Sequence, residues 1–402
     1  MNTKFQTLKG FRDFLPADAR KRAWLKEQMI KVFEKWGYEP LETPTLEALE
    51  LFAGEIGEDE KLFFKFEDNG GRKVALRYDQ TVPTCRVLGE NPDIILPFRR
   101  YQIQPAFRAE KPQKGRYREF VQSDIDIFGV SSPIADAEII AVTLDLYKTL
   151  GFKKAIALIN DRDLMKGVPY EAIVAIDKIK KIGEDGVVAD MMKKGIDGEK
   201  AKEYLNFVKN LKIDDAIKTI FDYLEKSGFS SDWYQFEPTL ARSFSYSQGP
   251  IWEITIPEYS AGSVGGGERY DGLVERISGR KIPGTGIGIG FDRTLEALEA
   301  CNLIPNFGSN SKILVTVFSE DTFVNSVETA KILRDAKINT EIYPDNTARL
   351  DKQLKYADKK GIPYVVIIGP EEVKENKVVL KNLKTKEQIK TSIENAISIV
   401  SP

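Results

Sequence analysis

The segment PFRRYQIQPAFRAEKPQKGRYREFVQSDIDIFG, residues 97–129, decides the fold of this chain. Apolar and polar residues alternate on both sides of the stretch 111–115, which contains proline and glycine. Alternation with a period of two around such a connection predicts two antiparallel strands. The segment also carries five arginines, which are Arg99, Arg100, Arg108, Arg116 and Arg118.

The arginines suggest a clamp for a triphosphate beside a pocket for a small charged molecule. A guanidinium held by a sheet makes bidentate contacts with phosphate oxygens, and the ring of Phe120 on the returning strand can face a purine. The alternative is an arginine-rich hairpin at a sheet edge. The spacing alone does not decide between the two.

The composition restricts the possible chemistry. The chain has 402 residues, of which 42% are hydrophobic and 30% charged, and its net charge of −2 neither supports nor excludes RNA binding. Histidine is absent, which excludes His-based triads, His-ligated metals and the commonest general acid–base residue. We therefore expect arginines, carboxylates and bound ions to carry the chemistry, as in phosphoryl or nucleotidyl transfer.

The sequence predicts a cytoplasmic protein that does not enter a membrane. The N-terminus has no apolar signal core, and no apolar run approaches the length of a membrane span. Two distant cysteines, Cys85 and Cys301, fit a reducing compartment and cannot build a zinc cluster.

Residue patterns in the first 305 positions predict a large core with an insertion. Apolar periodicity predicts helices over 17–36 and between Ser132 and Leu150, and strands are expected around Pro44 and over 73–83. The lysine-rich segment 164–228 has helical periodicity and predicts a small helical insert. Strand patterns return over 251–273 and in GTGIGIGFDRTLEAL, residues 284–298, whose last residues begin a helix.

Beyond the polar break at 306–311, strands and helices alternate at βαβ spacing. This predicts a C-terminal α/β domain of roughly 90 residues with a mixed, largely parallel sheet. The predicted domains are therefore a core of residues 1–163 and 229–305, the helical insert 164–228, and a C-terminal domain 312–402.

The glycine-rich stretch does not have the spacing of known nucleotide-binding loops. There is no GxxxxGK[ST], and GTGIGIG does not match GxGxxG. The glycines at 284, 286, 288 and 290 are instead expected to let a strand pass close to a ligand or to a neighbouring backbone. Arg293 would then face the ligand, although a surface position on the following helix is the alternative.

Six segments together resemble the histidyl-tRNA synthetase family of class II aminoacyl-tRNA synthetases. They are KGFRDFLP (9–16), ALRYDQTVP (75–83), FRAEKPQKGRYREFVQSDIDIFG (107–129), LARSFSYSQG (240–249), GGGERYDGL (265–273) and QLKYADKKGIPYVVIIG (353–369). The resemblance implies an α+β catalytic core with a six-stranded antiparallel sheet flanked by helices. It also implies a homodimer, with the first helix and the Pro44 strand at the interface, and an anticodon-binding role for the C-terminal domain.

The resemblance implies a role for each matching residue. Residues that contact ATP are Arg108 at the α-phosphate, Glu110 and Arg116 in the motif-two loop, Phe120 against adenine and Arg293 near the γ-phosphate. Residues that contact histidine are Asp79, Thr81 and Gln122 at the amino group, and Asp126, Tyr246, Ser247 and Tyr270 around the side chain. Arg242 helps to form the adenylate. The arginines and Mg²⁺ would lower the repulsion between the amino-acid carboxylate and the phosphate; the sequence does not indicate the Mg²⁺ ligands.

The sequence departs from the family pattern at four positions. Ser247 replaces a tyrosine, Glu268 stands where a glycine is usual, and Asp126 and Asp292 occupy positions often held by glutamate. The first two changes affect the expected side-chain pocket and leave the ATP site intact. We expect Ser247 or a bound water to take the place of the missing hydroxyl.

The resemblance implies a histidine–tRNA ligase that uses ATP, histidine and tRNA(His). One alternative is a regulatory paralogue of histidine biosynthesis that does not aminoacylate; such paralogues lack the C-terminal module. Another is an RNA-binding protein without catalysis, which the retained Arg108, Arg242 and Arg293 argue against. Four lysines on a predicted C-terminal helix, Lys352, Lys355, Lys359 and Lys360, serve either RNA binding or solubility.

Overall fold

The computed structural model of the chain describes residues 5–52, 63–112, 116–242 and 247–401. These residues divide into two compact units, 1–304 and 305–402, each with its own hydrophobic clusters. The predicted start of the C-terminal domain, residue 312, lies inside the second unit.

The first unit contains these elements in chain order: α1 Pro16–Lys35, β1 Glu39–Pro40, β2 Leu46–Ala48, β3 Lys65–Glu67, β4 Lys73–Leu76, α2 Thr81–Glu90, β5 Phe98–Phe107, β6 Glu119–Phe128, α3 Pro133–Thr149, β7 Ile156–Asp161, α4 Tyr170–Ile176, α5 Ile179–Lys193, α6 Gly198–Lys209, α7 Asp215–Lys226, β8 Tyr234–Phe236, β9 Gln248–Thr255, β10 Gly265–Arg269, α8 Leu273–Ser278, β11 Gly284–Gly290 and α9 Phe291–Ala300. Short 3-10 turns lie at Leu49–Leu51 and Arg162–Met165.

A large sheet organises this unit, with the strand order β1-β5-β6-β11-β10-β9-β7-β8. The six strands from β5 to β7 pair antiparallel, which confirms the expected six-stranded antiparallel core. The short strands β1 and β8 add parallel edges. The hairpin predicted from residues 97–129 is β5 and β6, whose register runs from Phe98 opposite Phe128 to Phe107 opposite Glu119.

The two faces of the large sheet have different surroundings because side chains alternate along each strand. Ile125, Ile127, Ile287 and Ile289 are buried in the main hydrophobic cluster, together with apolar side chains of α1, α3, α7 and α9. The intervening positions of β6 and β11 carry aspartates and glycines. The polar face is therefore the one on which a ligand can lie.

Helix α3 shows why the predicted helices form where they do. Ser132 caps its N-terminus by accepting a hydrogen bond from Ile134 N at 3.3 Å, and Pro133 occupies the first turn. Eleven of its residues, from Ala135 to Tyr147, are buried against the sheet. Helix α1 buries Leu25, Met29, Val32 and Phe33 in the same cluster.

Two predicted strands differ from the structure. The strand expected around Pro44 is two short strands in different sheets, β1 and β2, and Pro44 lies in the connection between them. The strand expected over 73–83 ends at Leu76, and α2 begins at Thr81. Strands β2, β4 and β3 form a separate three-stranded sheet.

The segment predicted as a helical insert contains four helices with two different packing partners. Helices α4, α5 and α6 share a small hydrophobic cluster with Met165 and Ala241. Helix α7 buries Ile217, Ile220 and Leu224 in the main cluster instead. The self-contained helical cluster therefore involves α4–α6, and α7 packs with the large sheet.

The second unit has the elements β12 Ile313–Val315, α10 Phe323–Asp335, β13 Thr340–Ile342, α11 Leu350–Lys360, β14 Tyr364–Ile367, α12 Pro370–Glu375, β15 Val378–Asn382, β16 Gln388–Thr391 and α13 Ile393–Val400. Its sheet has the order β13-β12-β14-β15-β16. The β12–β13 and β12–β14 pairs are parallel and the other two are antiparallel. The sheet is mixed, as predicted, but only half of its pairings are parallel, because β15 and β16 form a hairpin. Over the described ranges, no helix of either unit has the length and apolar character needed to span a membrane.

Candidate active site

A cavity of about 400 Å³ lies on the polar face of the large sheet. It brings together eleven predicted site residues, which are Asp79, Thr81, Arg108, Glu110, Arg116, Phe120, Gln122, Asp126, Arg242, Tyr270 and Arg293. Ser247 is buried next to this cavity, where it contacts Glu268. Tyr246 lies outside the described residues. Residues that are far apart in sequence therefore converge on one site.

Glycines form the floor of the cavity. In the strand register, Gly286 lies opposite both Asp126 and Glu268, and Gly288 lies opposite both Asp124 and Gly266. A Cβ atom at Gly286 would overlap the Asp126 carboxylate, and one at Gly266 would overlap the Arg242 guanidinium. These glycines are needed because functional side chains cross directly over the strands, as expected for this stretch.

Three arginines from distant parts of the chain reach the cavity. Arg108 follows β5, where its Nε donates to the Tyr78 carbonyl at 3.3 Å and its Cζ lies 5.1 Å from the centre of the Phe120 ring. Arg293 lies in the first turn of α9 and donates to the Ser263 carbonyl at 2.7 Å. Arg242 enters from the segment before β9. Such a set of guanidinium groups can bind a polyphosphate from several sides.

The other arginines of the hairpin do not form part of the clamp. Arg99 pairs with Glu138 at 2.7 Å, and Arg100 is fully buried beside Asp126, its partner in the strand register. Arg118 donates to the Glu110 carbonyl at 3.1 Å. The expectation that all five arginines form the clamp was therefore wrong for Arg99, Arg100 and Arg118. Alternation along β5 points Arg99 to the opposite face, an ion pair with the buried Asp126 holds Arg100, and the hairpin backbone holds Arg118.

Arg116 and Glu110 face each other at the cavity mouth. Their side chains form an ion pair with a distance of 3.6 Å and are 52% and 36% exposed. A pair this exposed contributes little stability. Both side chains are therefore available to rearrange around a ligand.

The opposite end of the cavity is acidic. Asp126 accepts a hydrogen bond from the Tyr270 hydroxyl through Oδ1, and its Oδ2 lies 2.7 Å from Arg100 Nη2. Burial raises the pKa of Asp126, although Arg100 and Tyr270 oppose this shift. An anchored carboxylate of this kind can accept a hydrogen bond from the N–H group of a ligand.

Two further aspartates near this end also have raised pKa values. Burial raises the pKa of Asp79 to about 6, opposed by the backbone N–H of Val82 and by the charge of Arg108. Burial raises the pKa of Asp124 to about 8, with Asp126 adding to the shift and Arg100 opposing it. At pH 7.5 Asp79 is mostly ionised and can accept hydrogen bonds from an ammonium group.

Ser247 and Glu268, two of the four departures from the family pattern, contact each other. The Ser247 hydroxyl donates to Oε2 of Glu268, and Arg242 Nη2 lies 3.3 Å from Oε1. Glu268 is 6% exposed and lines the cavity on the side opposite Asp126. The serine hydroxyl thus donates to a protein carboxylate, and the expectation that Ser247 or a bound water takes the place of the missing hydroxyl stays a prediction.

Asp292 connects the N-terminal segment to the site. Its Oδ1 accepts from Arg12 at 2.9 Å and from Arg22 at 2.6 Å, while its Oδ2 accepts from the backbone N–H of Val121 at 3.3 Å. The contacts connect Arg12, which precedes α1, and Arg22, which lies in α1, to strand β6 and to the first turn of α9. They hold the helix turn that carries Arg293.

Some residues around the cavity could not be found from the sequence. Arg77 is fully buried and donates to carbonyl oxygens of Pro105 and Thr43 at 2.7 and 2.6 Å, which fixes the chain just before Asp79. Glu253 lines the cavity from β9. It pairs with Gly266 on β10, which in turn pairs with Gly288 on β11. Alternation along β9 is the one sequence signal that could have placed Glu253 on the polar face.

The described residues contain no group of three His, Cys, Asp or Glu side chains that could hold a metal ion by themselves. Mg²⁺ in nucleotide sites usually takes one or two protein carboxylates and completes its shell with phosphate oxygens and water. Glu253 is a cavity carboxylate of the kind that such an ion could use.

Comparison with known proteins identifies relatives for both units. Residues 10–184 match the family described as histidyl-tRNA synthetase, and residues 312–401 match the anticodon-binding domain family. The chain is 35% identical to a histidine–tRNA ligase of Cytophaga hutchinsonii, over 97% of this chain and 98% of the relative. It is 37% identical to a histidine–tRNA ligase of Clostridium tetani, over 98% and 97%. A crystal structure of histidyl-tRNA synthetase from a Nostoc species superposes with a TM-score of 0.84 at 25% identity, covering 99% of both chains.

Proposed function

Because this chain belongs to the histidyl-tRNA synthetase family and is a histidine–tRNA ligase, we propose how its residues carry out the reaction in the cavity of the large sheet. The main support is the convergence of Arg108, Arg242 and Arg293 on one cavity. The match of residues 312–401 to an anticodon-binding domain disfavours the regulatory alternative, whose members lack that module.

The first step forms histidyl-adenylate. An oxygen of the histidine carboxylate attacks the α-phosphorus of ATP, the bond to the β-phosphate oxygen breaks, and pyrophosphate leaves. Two anions must approach each other, so the barrier is lowered by positive charge near the α-phosphate. Arg108 and Arg242 supply that charge, and Arg293 holds the γ-phosphate end.

Binding groups around the arginines orient ATP. Phe120 faces the adenine, and Glu110 and Arg116 close over the nucleotide from the mouth of the cavity. Mg²⁺, with Glu253 as its proposed protein ligand, would neutralise charge on the phosphates.

Histidine binds at the acidic end of the cavity. Its ammonium group donates to Asp79, Thr81 and Gln122, a set of acceptors that suits a group with three N–H donors. Asp126 and Tyr270 receive the imidazole side chain, and Tyr246 and Ser247 complete this part of the site. No protein base is needed, because the attacking carboxylate is already ionised.

In the second step a hydroxyl of the 3′-terminal adenosine of tRNA(His) attacks the activated carbonyl carbon, and AMP leaves. The C-terminal domain would bind the anticodon, and the insert, residues 164–228 between the core segments 1–163 and 229–305, would contact the acceptor stem. Phosphate contacts by lysines make such binding weaker at high salt. On α11, Lys360 pairs with Glu341 at 2.6 Å and Lys352 with Asp345 at 3.7 Å, which leaves Lys355 and Lys359 as the better candidates for RNA contact.

We also propose a homodimer located in the cytoplasm, where translation takes place. The three-stranded sheet has two edge strands, β2 and β3, and their side chains Leu46 and Phe66 are 40% and 50% exposed. Edge strands with apolar side chains are suited to pairing with another chain. Light scattering would give twice the chain mass for this assembly, and a single-chain mass would rule it out.

Histidine-dependent exchange of pyrophosphate into ATP tests the first step. We expect activity in the intact protein and a loss of at least ~100-fold in Arg242→Ala. Removal of residues 312–402 should abolish tRNA charging while exchange persists. Exchange that is unchanged in Arg242→Ala, or charging that survives the deletion, would refute the corresponding assignment.

A further inference from the structure

Glu268 is a buried carboxylate that no proposed step uses. It lies on β10, is 6% exposed and lines the cavity. Ser247 donates to one of its oxygens, and Arg242 lies 3.3 Å from the other. Both contacts fix the direction of the carboxylate. An ionised carboxylate offers about four acceptor positions, so it can accept further hydrogen bonds from a ligand.

The strand register places Glu268 across from Asp126. Asp126 pairs with Gly286, and Gly286 pairs with Glu268, on three adjacent strands. Directly paired residues point to the same face of a sheet, and neighbouring strands are about 4.8 Å apart. The two acidic residues therefore rise from backbones about 10 Å apart, and the Asp126 carboxylate reaches over Gly286 into the space between them. This gap is the acidic end of the cavity.

A gap with a carboxylate on each side selects a particular form of the imidazole ring. Neutral imidazole has one N–H donor and one acceptor nitrogen, whereas imidazolium has two donors. An ionised carboxylate can only accept. When both carboxylates are ionised, a ring between Asp126 and Glu268 satisfies both acids only if both of its nitrogens carry protons.

We propose that Glu268 determines substrate specificity in this enzyme: it accepts a hydrogen bond from one ring nitrogen of histidine while Asp126 accepts from the other, so the substrate binds as imidazolium. This inference rests on the proposed function and assigns its side-chain recognition. Ser247 is a positioning residue, because its hydroxyl holds the Glu268 carboxylate.

The charges around the gap agree with this assignment. The charged and titratable groups around the two acids come from several elements. Near Glu268 they are Arg242, Arg162 in the 3-10 turn after β7, and Glu253 on β9. Near Asp126 they are Tyr270, Arg100 and Asp124. Each of the two acids contacts one arginine. Arg242 lies over Gly266, one row away from Gly286, and is also proposed to supply positive charge at the α-phosphate of ATP.

Proton uptake on binding tests the proposal directly. Free imidazole side chains have a pKa near 6.5 and are mostly neutral at pH 7.5, so binding as imidazolium takes up close to one proton per histidine. Titration calorimetry of the full chain with histidine, in two buffers of different ionisation heat, measures this number. We expect an uptake approaching one proton in the wild type and a much smaller uptake in Glu268→Gln, whose amide can donate to a neutral ring.

Glu299→Gln is the control, since it removes a carboxylate of the same unit that pairs with Lys21 and does not line the cavity. It should keep the wild-type uptake. A wild-type uptake near zero, or an equal uptake in wild type and Glu268→Gln, would overturn the proposal while leaving histidine binding intact. Absence of any histidine binding would overturn the proposed function as well.

A second measurement does not depend on a variant. An alanine derivative with a 1,2,4-triazole ring has the shape of histidine but stays neutral near neutral pH. At pH 6 the wild-type protein should bind histidine at least ~10-fold more tightly than this analogue. A tenfold preference for the charged ring corresponds to a rise of about one unit in the pKa of the bound imidazole. Equal affinity for the two at pH 6 would also overturn the proposal.

Discussion

Replacing Arg100 with methionine should strongly destabilise the first unit. The Arg100 guanidinium is fully buried, 2.7 Å from Asp126 Oδ2 and 4.0 Å from Asp124 Oδ2, and both carboxylates are at most 3% exposed. Methionine is of similar length but uncharged, so it leaves two acids in the interior without their counter-ion. Breaking a buried pair by removing one partner costs about 3–5 kcal/mol.

Scanning calorimetry of the full chain measures this loss. For domains of 150–250 residues the melting temperature falls by about 2–4 °C per kcal/mol. The expected cost therefore lowers the melting temperature of the first unit by roughly 6–20 °C, with the smaller values more suitable for a unit of 304 residues.

Two further variants separate the ion pair from a general effect of losing an arginine. Arg99 is on the same strand, but its side chain is 36% exposed, so Arg99→Met should cost no more than about 1 kcal/mol. The double variant Arg100→Met/Asp126→Asn should recover part of the lost stability, because the unpaired charge is removed. The reasoning is refuted if Arg100→Met is as stable as Arg99→Met, or if the second substitution lowers stability further.

Three other substitutions test the site. Gly286→Ala should lower kcat/KM for histidine by about 10–100-fold, since its Cβ would overlap the Asp126 carboxylate. Gly272→Ala should not, because its Cβ would make only an ordinary contact with Gln248 Nε2 at 3.6 Å. Burial raises the pKa of Asp124 from 3.8 to about 8, so the folded protein keeps a proton that the unfolded chain loses. The stability of the protein therefore falls as the pH rises between these two values. Asp124→Asn should reduce this fall, measured as the difference between the urea midpoints at pH 5 and pH 8. Asp292→Asn weakens contacts to two arginines and should cost about 2 kcal/mol and raise KM for ATP. The Asp124 assignment is contradicted if Asp124→Asn shows the same difference between the two urea midpoints as the wild type. The Asp292 assignment is contradicted if Asp292→Asn leaves both the melting temperature and the KM for ATP unchanged.

Local patterns in the sequence were sufficient to predict much of the fold. The β5–β6 hairpin follows from alternation over 97–129, and α3 follows from its cap and its apolar run. Short edge elements were less predictable. Strands β1 and β2 have two and three residues, too few to show a period, and their separation into two sheets depends on long-range pairing.

The arginine cluster shows where a sequence pattern becomes ambiguous. Arg99, Arg100 and Arg108 look equivalent within the hairpin, yet Arg99 faces Glu138, Arg100 is buried beside Asp126 and Arg108 reaches the cavity. The face of each follows from alternation, but the partner on that face comes from another strand or helix. Only the assembled sheet therefore assigns a role to each arginine.

The sequence by itself determined the alternating strands and the glycine-rich strand, because these depend on residue type and local spacing. The site residues were predicted from the resemblance of six segments to one family. The tertiary structure decided that Glu268 faces Asp126 across Gly286 and that Ser247 and Arg242 hold its carboxylate. These contacts join residues more than 20 positions apart through strand register. Register is set by the packing of the whole sheet, which no local segment specifies.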